Sequence, residues 1–360
     1  MIGEMALNVA IIGAGVSGLA CAHELEKSGI RPVIYERNSF IGEQVSCVAS
    51  LLEITHRPIK DEIIYMRELF DIDIQPLNTI NTIIHKSPNK TAIMKGNFGY
   101  FISRGKEQND LKNQIFLKLK NTEVRFNENV YYDELKEKYD YVIIATGEPS
   151  LTDEMGCWQQ WFQGYVRSAT VLGDFDPNTQ IMWINKEYCK TGYAFLAPYD
   201  CKRASISLVV SDTNEKEVDH YWEEFLYTEN IKYTIVEEFK LQHIAGYAFT
   251  HKVDNLYFVG NAGGALDSFL GFGQFNSVEM GVMAARSIVN GDDYDELIKD
   301  IVERNKQFYQ FRKAFEKLTN DNYDTIVTSI GLPNVKQAVY KSSLNLAKYG
   351  AAFLKSTSKE

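Results

Sequence analysis

A β-rich run, Asn8 to Ile12, passes directly into Gly13-Ala14-Gly15-Val16-Ser17-Gly18 and then into a helix-like stretch, Ser17 to Ser28. This order of strand, GxGxxG and helix constrains the chain more than any other feature, because each glycine answers a separate physical demand. The first permits a tight turn, the second lets a pyrophosphate approach the backbone, and the third lets helix and strand pack closely. Val16 and Ser17 open the helix, whose amino terminus faces the phosphates. A second β-rich run, Pro32 to Tyr35, leads into Glu36 and Arg37. Glu36 stands where an acidic side chain accepts hydrogen bonds from a ribose, and Arg37 is counted with the same nucleotide site. Strand, glycines, helix, strand and acid together form one βαβ unit, the first half of a doubly wound sheet.

The chain returns to that sheet twice. Tyr139 to Ala145 reads as a buried strand ending in Thr146-Gly147, and Leu256 to Val259 as another that opens a glycine-rich turn and a helix near Ser277 to Asn290. Between these returns the pattern changes. Ile80 to Lys86 and Thr91 to Met94 flank the turn signal Ser87-Pro88-Asn89-Lys90, a hairpin outside the parallel sheet. Several β-rich runs between Gly164 and Val210, separated by turn residues, read as an antiparallel sheet. Helices are expected over Glu107 to Lys120 and Asn214 to Tyr227. From Asp293 onward Leu297, Ile301, Phe308, Phe311 and Phe315 recur at helical spacing. The expected fold class is α/β, with a doubly wound Rossmann-like domain (1–50, 97–150 and 251–292) that is discontinuous in sequence. An antiparallel-sheet substrate domain (51–96 and 151–250) and a helical C-terminal tail (293–360) complete it.

Composition narrows the function classes. A formal net charge of −10 argues against a nucleic-acid partner, since phosphate neutralisation needs a basic face. Cys21, Cys47, Cys157, Cys189 and Cys201 are an odd set without CxxC spacing, and the six histidines show no metal-ligand spacing. Neither a disulfide scaffold nor a metal site is expected. No apolar run reaches the roughly 18 residues of a membrane span, so the expected location is cytoplasmic, with membrane association left open.

A GxGxxG turn does not separate FAD from NAD, and later segments decide for FAD. Ala145-Thr146-Gly147 resembles the second nucleotide-contacting segment of flavoproteins, and Val259-Gly260-Asn261-Ala262-Gly263-Gly264 their third motif. From Val259 through Gly271-Phe272-Gly273 to Ala284-Ala285 the chain resembles the geranylgeranyl reductase family and, more broadly, the p-hydroxybenzoate hydroxylase fold. Ile41-Gly42 with Val45-Ser46-Cys47 is similar to that family's cysteine-containing segment, and Gly99-Tyr100 through Arg104 to its strand and flavin-contacting arginine. Lys186 with Gly192-Tyr193-Ala194-Phe195-Leu196-Ala197-Pro198 is similar to its substrate-domain motif. The resemblance covers about the first 290 residues. Phe195 stands for the usual tryptophan, Ala197 for a phenylalanine, Asn261 for an acidic residue and Phe272 for a small or acidic one. These departures cluster where flavin meets substrate and bear on the substrate rather than the fold.

The resemblance implies a reductase that saturates carbon–carbon double bonds of an isoprenoid or prenyl-lipid-like substrate by hydride transfer from reduced flavin. Cys47 would be the proton donor or a small residue packed near the flavin, and Tyr193 a second donor or a core aromatic. Arg104 would offset phosphate or reduced-flavin charge. Gly271 and Gly273 would bracket a turn whose amides face the flavin pyrimidine. Asn261 can both accept from and donate to the ribitol. Phe195 and Pro198 would line the substrate pocket. The electron donor is left open among NAD(P)H, ferredoxin and another reductant, so an electron-donor protein is one expected partner besides the apolar substrate. A monooxygenase of an aromatic or lipid substrate is the competing enzymatic reading. A non-enzymatic electron-transfer or redox-sensing flavoprotein is the third, and a deep cavity beside the flavin would count against it. Leu332, Val335, Val339, Leu346, Tyr349 and Phe353, with lysines among them, suggest a tail helix that packs on the protein or touches a membrane surface.

Overall fold

The structure, a computed structural model, describes residues 7–336. The opening unit is β1 (Val9–Ile12), α1 (Val16–Lys27) and β2 (Val33–Glu36). The chain then leaves through β3 (Cys47–Leu52), α2 (Glu62–Phe70), β4 (Asn78–Thr79), β5 (Thr82–Lys86), β6 (Thr91–Lys95) and β7 (Gly99–Arg104). It returns with α3 (Leu111–Phe116), β8 (Glu123–Phe126), α4 (Tyr132–Leu135), β9 (Tyr141–Ile144) and α5 (Ser150–Glu154). A long excursion follows: β10 (Trp158–Leu172), β11 (Thr179–Trp183), α6 (Lys186–Cys189), β12 (Tyr193–Pro198), β13 (Arg203–Ser211), α7 (Glu217–Thr228) and β14 (Thr234–Ala248). The last elements are β15 (Lys252–Val253), β16 (Leu256–Phe258), α8 (Gln274–Asn290), α9 (Tyr294–Leu297), α10 (Lys299–Phe315), α11 (Asn320–Ile330) and α12 (Pro333–Lys336).

Three sheets result. The six-stranded sheet has the order β15-β16-β9-β1-β2-β8 and is parallel apart from the β15–β16 pair. Its central strands, VAII and YVII, are almost wholly apolar because both faces are covered. Ile11 points into the layer of α1 and α8, while Ala10 joins Val142, Ile144 and Phe258 on the other side. Helices α1 and α8 touch closely: a Cβ on Gly281 would lie 2.2 Å from the Ser17 carbonyl oxygen.

The seven-stranded sheet has the order β14-β10-β13-β12-β11-β5-β6, and β3-β7-β4 form a small third sheet. The expected hairpin forms outside the parallel sheet and joins the substrate sheet, with β5 alongside β11 in parallel. Helix α7 covers one face of that sheet with Val218, Trp222 and Phe225, against Leu208, Ile206, Leu196 and Ala169.

Two sequence expectations differ in detail. The helix expected over Glu107 to Lys120 is confined to α3. Asp110 turns its carboxylate back onto Ser103 of β7, 2.5 Å away, and Lys118 closes the far end with a tight bond to the Ile115 carbonyl. Helix α2, within the segment assigned to the substrate domain, sets Ile63, Met66 and Phe70 into the core of the nucleotide fold instead. In the tail, Ile301, Phe308, Phe311 and Phe315 of α10 are buried. The expected helix through Val339, Leu346, Tyr349 and Phe353 lies outside the described residues. No helix among those described is long and apolar enough to cross a membrane.

Candidate active site

The nucleotide turn is built by contact. Gly13 has φ +107°, and a Cβ there would sit 2.3 Å from the Ala145 carbonyl oxygen. A Cβ on Gly18 would sit 2.2 Å from the Gly13 carbonyl oxygen. Gly15 differs, since nothing lies within 4 Å of the position its Cβ would take, and it caps α1 without a side-chain bond. The turn therefore leaves open room at the free N–H groups of a helix, where a pyrophosphate fits. Val16 begins α1 and Ser17 packs beside Gly260, whose Cβ would meet Ser17 Oγ at 2.5 Å. Glu36 is buried at the end of β2 and accepts from Ala14 N at 3.0 Å and from Asn38 N and Nδ2 at 2.9 Å each. Three bonds leave a carboxylate room for one more donor, as a ribose requires. Arg37 is exposed one residue beyond. Ala145 is buried against Gly13, while Thr146 bonds the Glu148 carbonyl at 3.1 Å and Gly147 is exposed. The residues present fit FAD.

Beyond the turn a cavity of about 720 Å³ opens between the glycine loops and the seven-stranded sheet, a size typical of a ligand site. Cys47, Arg104, Gly147, Tyr193, Phe195, Asn261 and Gly271 all line it. Pro198 does not. It ends β12 as a buried residue paired in register with Ala204, and strand alternation sets it on the face opposite Tyr193 and Phe195. Gly260 and Gly273 sit behind the lining. Gly273 caps α8, and a Cβ there would press Leu266 at 2.8 Å.

Cys47 pairs in register with Arg104 across β3 and β7. Burial pushes its thiol up to about 11, with Arg104 opposing and Glu43 and Asp110 reinforcing the shift. The thiol is protonated at neutral pH. Arg104 is not left free to offset a ligand charge alone, since it pairs with Glu43 through Nε at 2.8 Å and Nη2. The Tyr193 hydroxyl donates to the Leu270 carbonyl. Burial pushes that phenol far above its ordinary value, so its proton is engaged in holding a loop. Asn261 donates to the Gly147 carbonyl at 3.2 Å, which joins two of the glycine segments and leaves its Oδ1 as an acceptor.

Sequence reasoning missed several of the residues that shape this site. Asp267 is buried and gathers the N–H groups of Phe269 (2.9 Å), Leu270 (2.6 Å) and Phe272 (2.8 Å), folding the loop that presents Gly271. From behind, Phe269 packs edge-on against Phe311 and Phe315 of α10. His243 of β14 faces the cavity so near Gly271, which has φ +68°, that a Cβ there would meet the imidazole at 2.7 Å. Burial, helped by Arg104 and Arg312, pushes this imidazole down to about 4, so it is neutral at pH 7. Gln274, the first residue of α8, lines the cavity with a buried Oε1 that has no partner among the described residues. Ser50, Gln180, Met182, Ser207, Phe239 and Leu241 form the far walls.

Fold and groove together define the class: this is the fold of FAD-dependent oxidoreductases. Residues 7–172 match the pyridine nucleotide-disulphide oxidoreductase family. Among solved structures the chain is similar to a geranylgeranyl bacteriochlorophyll reductase-like protein from Thermoplasma acidophilum, at 16% identity and a TM-score of 0.73, over 96% of this chain and 98% of that one. It is also similar to the flavin-dependent halogenase CmlS (17% identity, TM-score 0.65, 98% of this chain and 77% of that one). A third likeness is to p-nitrophenol 4-monooxygenase from Pseudomonas putida (14%, TM-score 0.58, 98% and 96%).

Proposed function

We propose that the protein is an FAD-dependent reductase that saturates carbon–carbon double bonds of an apolar, isoprenoid-like substrate. One observation carries this reading: Cys47 keeps a protonated thiol in the wall of a deep cavity whose lining is rich in Val45, Val166, Val209, Leu241, Ile244 and Phe195. When bound, FAD supplies the hydride in its reduced form. The chain supplies an apolar bed that orients an alkene and excludes water, and a thiol S–H to give the proton. The neutral His243 and the mutually paired Arg104 and Glu43 add no net charge to that bed.

A second reading, a flavin monooxygenase, draws on the likeness to p-nitrophenol 4-monooxygenase. One experiment separates them. The purified protein, reduced without oxygen, is mixed with prenyl alcohols and the flavin absorbance is followed. Reoxidation with formation of the saturated product supports the reductase. Stable reduced flavin with every alkene, followed by oxygen-dependent product formation from an aromatic compound, would replace it with the second reading.

A further inference from the structure

The two faces of the seven-stranded sheet differ in chemistry. Under α7 lie Ala204, Ile206, Leu208 and Val210 of β13, all apolar. The alternate residues Ser205 and Ser207 point the other way, and both are buried. Register extends this polar row sideways: Ser207 is opposite Ser168 and Phe195, and Ser205 opposite Thr170 and Ala197. Met182 is opposite Phe195, so Gln180, two residues along β11, shares the face. Such a row is not needed to fill a core, since buried hydroxyls cost free energy unless each finds a partner.

The row runs away from the flavin loop. Tyr193 holds Leu270, and Ala197, four residues on, is displaced by about 13 Å along the strand. Strand β3 lies over this face, with Ser50 three residues beyond Cys47. There Ser50 Oγ donates to Gln180 Oε1 at 3.1 Å, and both residues line the cavity. With that oxygen engaged, the Gln180 amide N–H groups stand at the cavity wall as donors. Two strands away on the same face, beyond Phe195, Ser207 Oγ donates to Ser168 Oγ at 2.7 Å, which in turn donates to the Ile206 carbonyl at 3.2 Å. Ser207 oxygen then keeps its lone pairs for the cavity. Behind them Ser205 Oγ is buried without a partner among the described residues. The charged side chains of the cavity, Glu43, Arg104, Glu148 and Asp153, all belong to the cofactor side, and none comes from the sheet.

We infer that the Ser50–Gln180–Ser207 wall is a recognition subsite for an uncharged terminus that both accepts and donates hydrogen bonds, a hydroxyl or primary amide, on an otherwise apolar substrate. A carboxylate, phosphate or ammonium would be buried there without a counter-charge. The apolar body of the substrate rests on the reductase reading above, whereas the polar end rests on this wall alone.

The test uses the full-length FAD-loaded protein, titrated with farnesol, farnesene and farnesyl diphosphate from the same micellar phase. Binding is read from perturbation of the oxidised flavin spectrum, and each ligand is then offered to the reduced protein. Farnesol is expected to bind about tenfold more tightly than farnesene, and the diphosphate most weakly. Gln180→Leu should bring farnesol to the level of farnesene, with some loss of melting temperature for the broken Ser50 bond, and Ser207→Ala should go part of the way. Equal binding of alcohol and hydrocarbon, tightest binding of the diphosphate, or no binding of farnesol overturns the inference, and these wild-type comparisons hold even if a variant fails to fold. Selective binding of farnesol without flavin reoxidation keeps the subsite and removes the reductase. Reoxidation without selectivity does the reverse.

Discussion

The nucleotide turn and the substrate cavity position their ligands by opposite means. In the turn, backbone touches backbone: Gly13 and Gly18 stand where any Cβ would fall within 2.3 Å of a carbonyl oxygen, and only Gly15 faces open room. In the cavity, side chains from β3, β11, β12 and β14 make the walls, and the close backbone approaches at Gly192 and Gly105 lie beside the lining rather than in it. The first region tolerates no change of shape, while the second can change its chemistry one residue at a time. That contrast separates the effects expected of mutations.

The largest effect belongs to Gly18→Val. The added side chain collides with the Gly13 carbonyl and Ile11, so a loss of about 3 kcal/mol or more and poor recovery of folded protein are expected by thermal unfolding. Gly15→Val should keep the fold but lose the flavin, because its side chain enters the open room instead. Equal loss of stability in both variants, or full flavin occupancy in Gly15→Val, would erase the distinction between packing and ligand glycines.

In the cavity, Cys47→Ala should leave FAD bound and reducible while slowing reoxidation by an alkene about 10²- to 10⁴-fold. Stability should fall by about 1 kcal/mol for the lost sulfur. The wild-type rate should hold up to about pH 9 and then decline towards pH 11, since the raised thiol is protonated below that range and loses its proton through it. The same raised value stabilises the fold below pH 9 and ceases to do so as the pH rises through 11. Wild-type single-turnover rates in Cys47→Ala would reduce the cysteine to packing. Tyr193→Phe gives the smallest effect. Removing the bond to Leu270 should lower stability by about 1 kcal/mol and loosen the Asp267 loop, with turnover per folded molecule little changed. A rate loss as large as that of Cys47→Ala would instead make the tyrosine the donor.

The same contrast explains what could be read from the sequence. The demands of the turn act between neighbours in the chain, so Gly13, Gly15, Gly18 and Glu36 carry their spacing in plain view. Cys47, Arg104 and Asn261 were found through resemblance, and all three line the cavity. The cavity's other determinants meet across long separations. Ser50 reaches Gln180 over 130 residues and Tyr193 reaches Leu270 over 77, and nothing local marks either pair. Asp267 does act locally, yet an aspartate before a loop has many ordinary readings, and only burial with three N–H donors distinguishes this one. The serines of β13 fall within a span that reads only as β-rich, and nothing in it says which face meets a ligand. Pro198 was carried along with its motif, although the strand turns it away from the cavity.

The parallel pairing of β5 with β11 ties together parts of the chain made at different times. Thr82 lies against Thr179, and the two strands are separated by β8 and β9 of the other sheet. The substrate sheet therefore cannot close until the nucleotide strands between its pieces have been synthesised, and closing so long a loop is favourable only when both sheets form together. A fragment ending near residue 150 would carry β5 and β6 without their neighbour β11, an exposed hairpin prone to pair with other chains. The intact protein should consequently unfold in one cooperative step, and its two halves should not be separable by expression or by limited proteolysis.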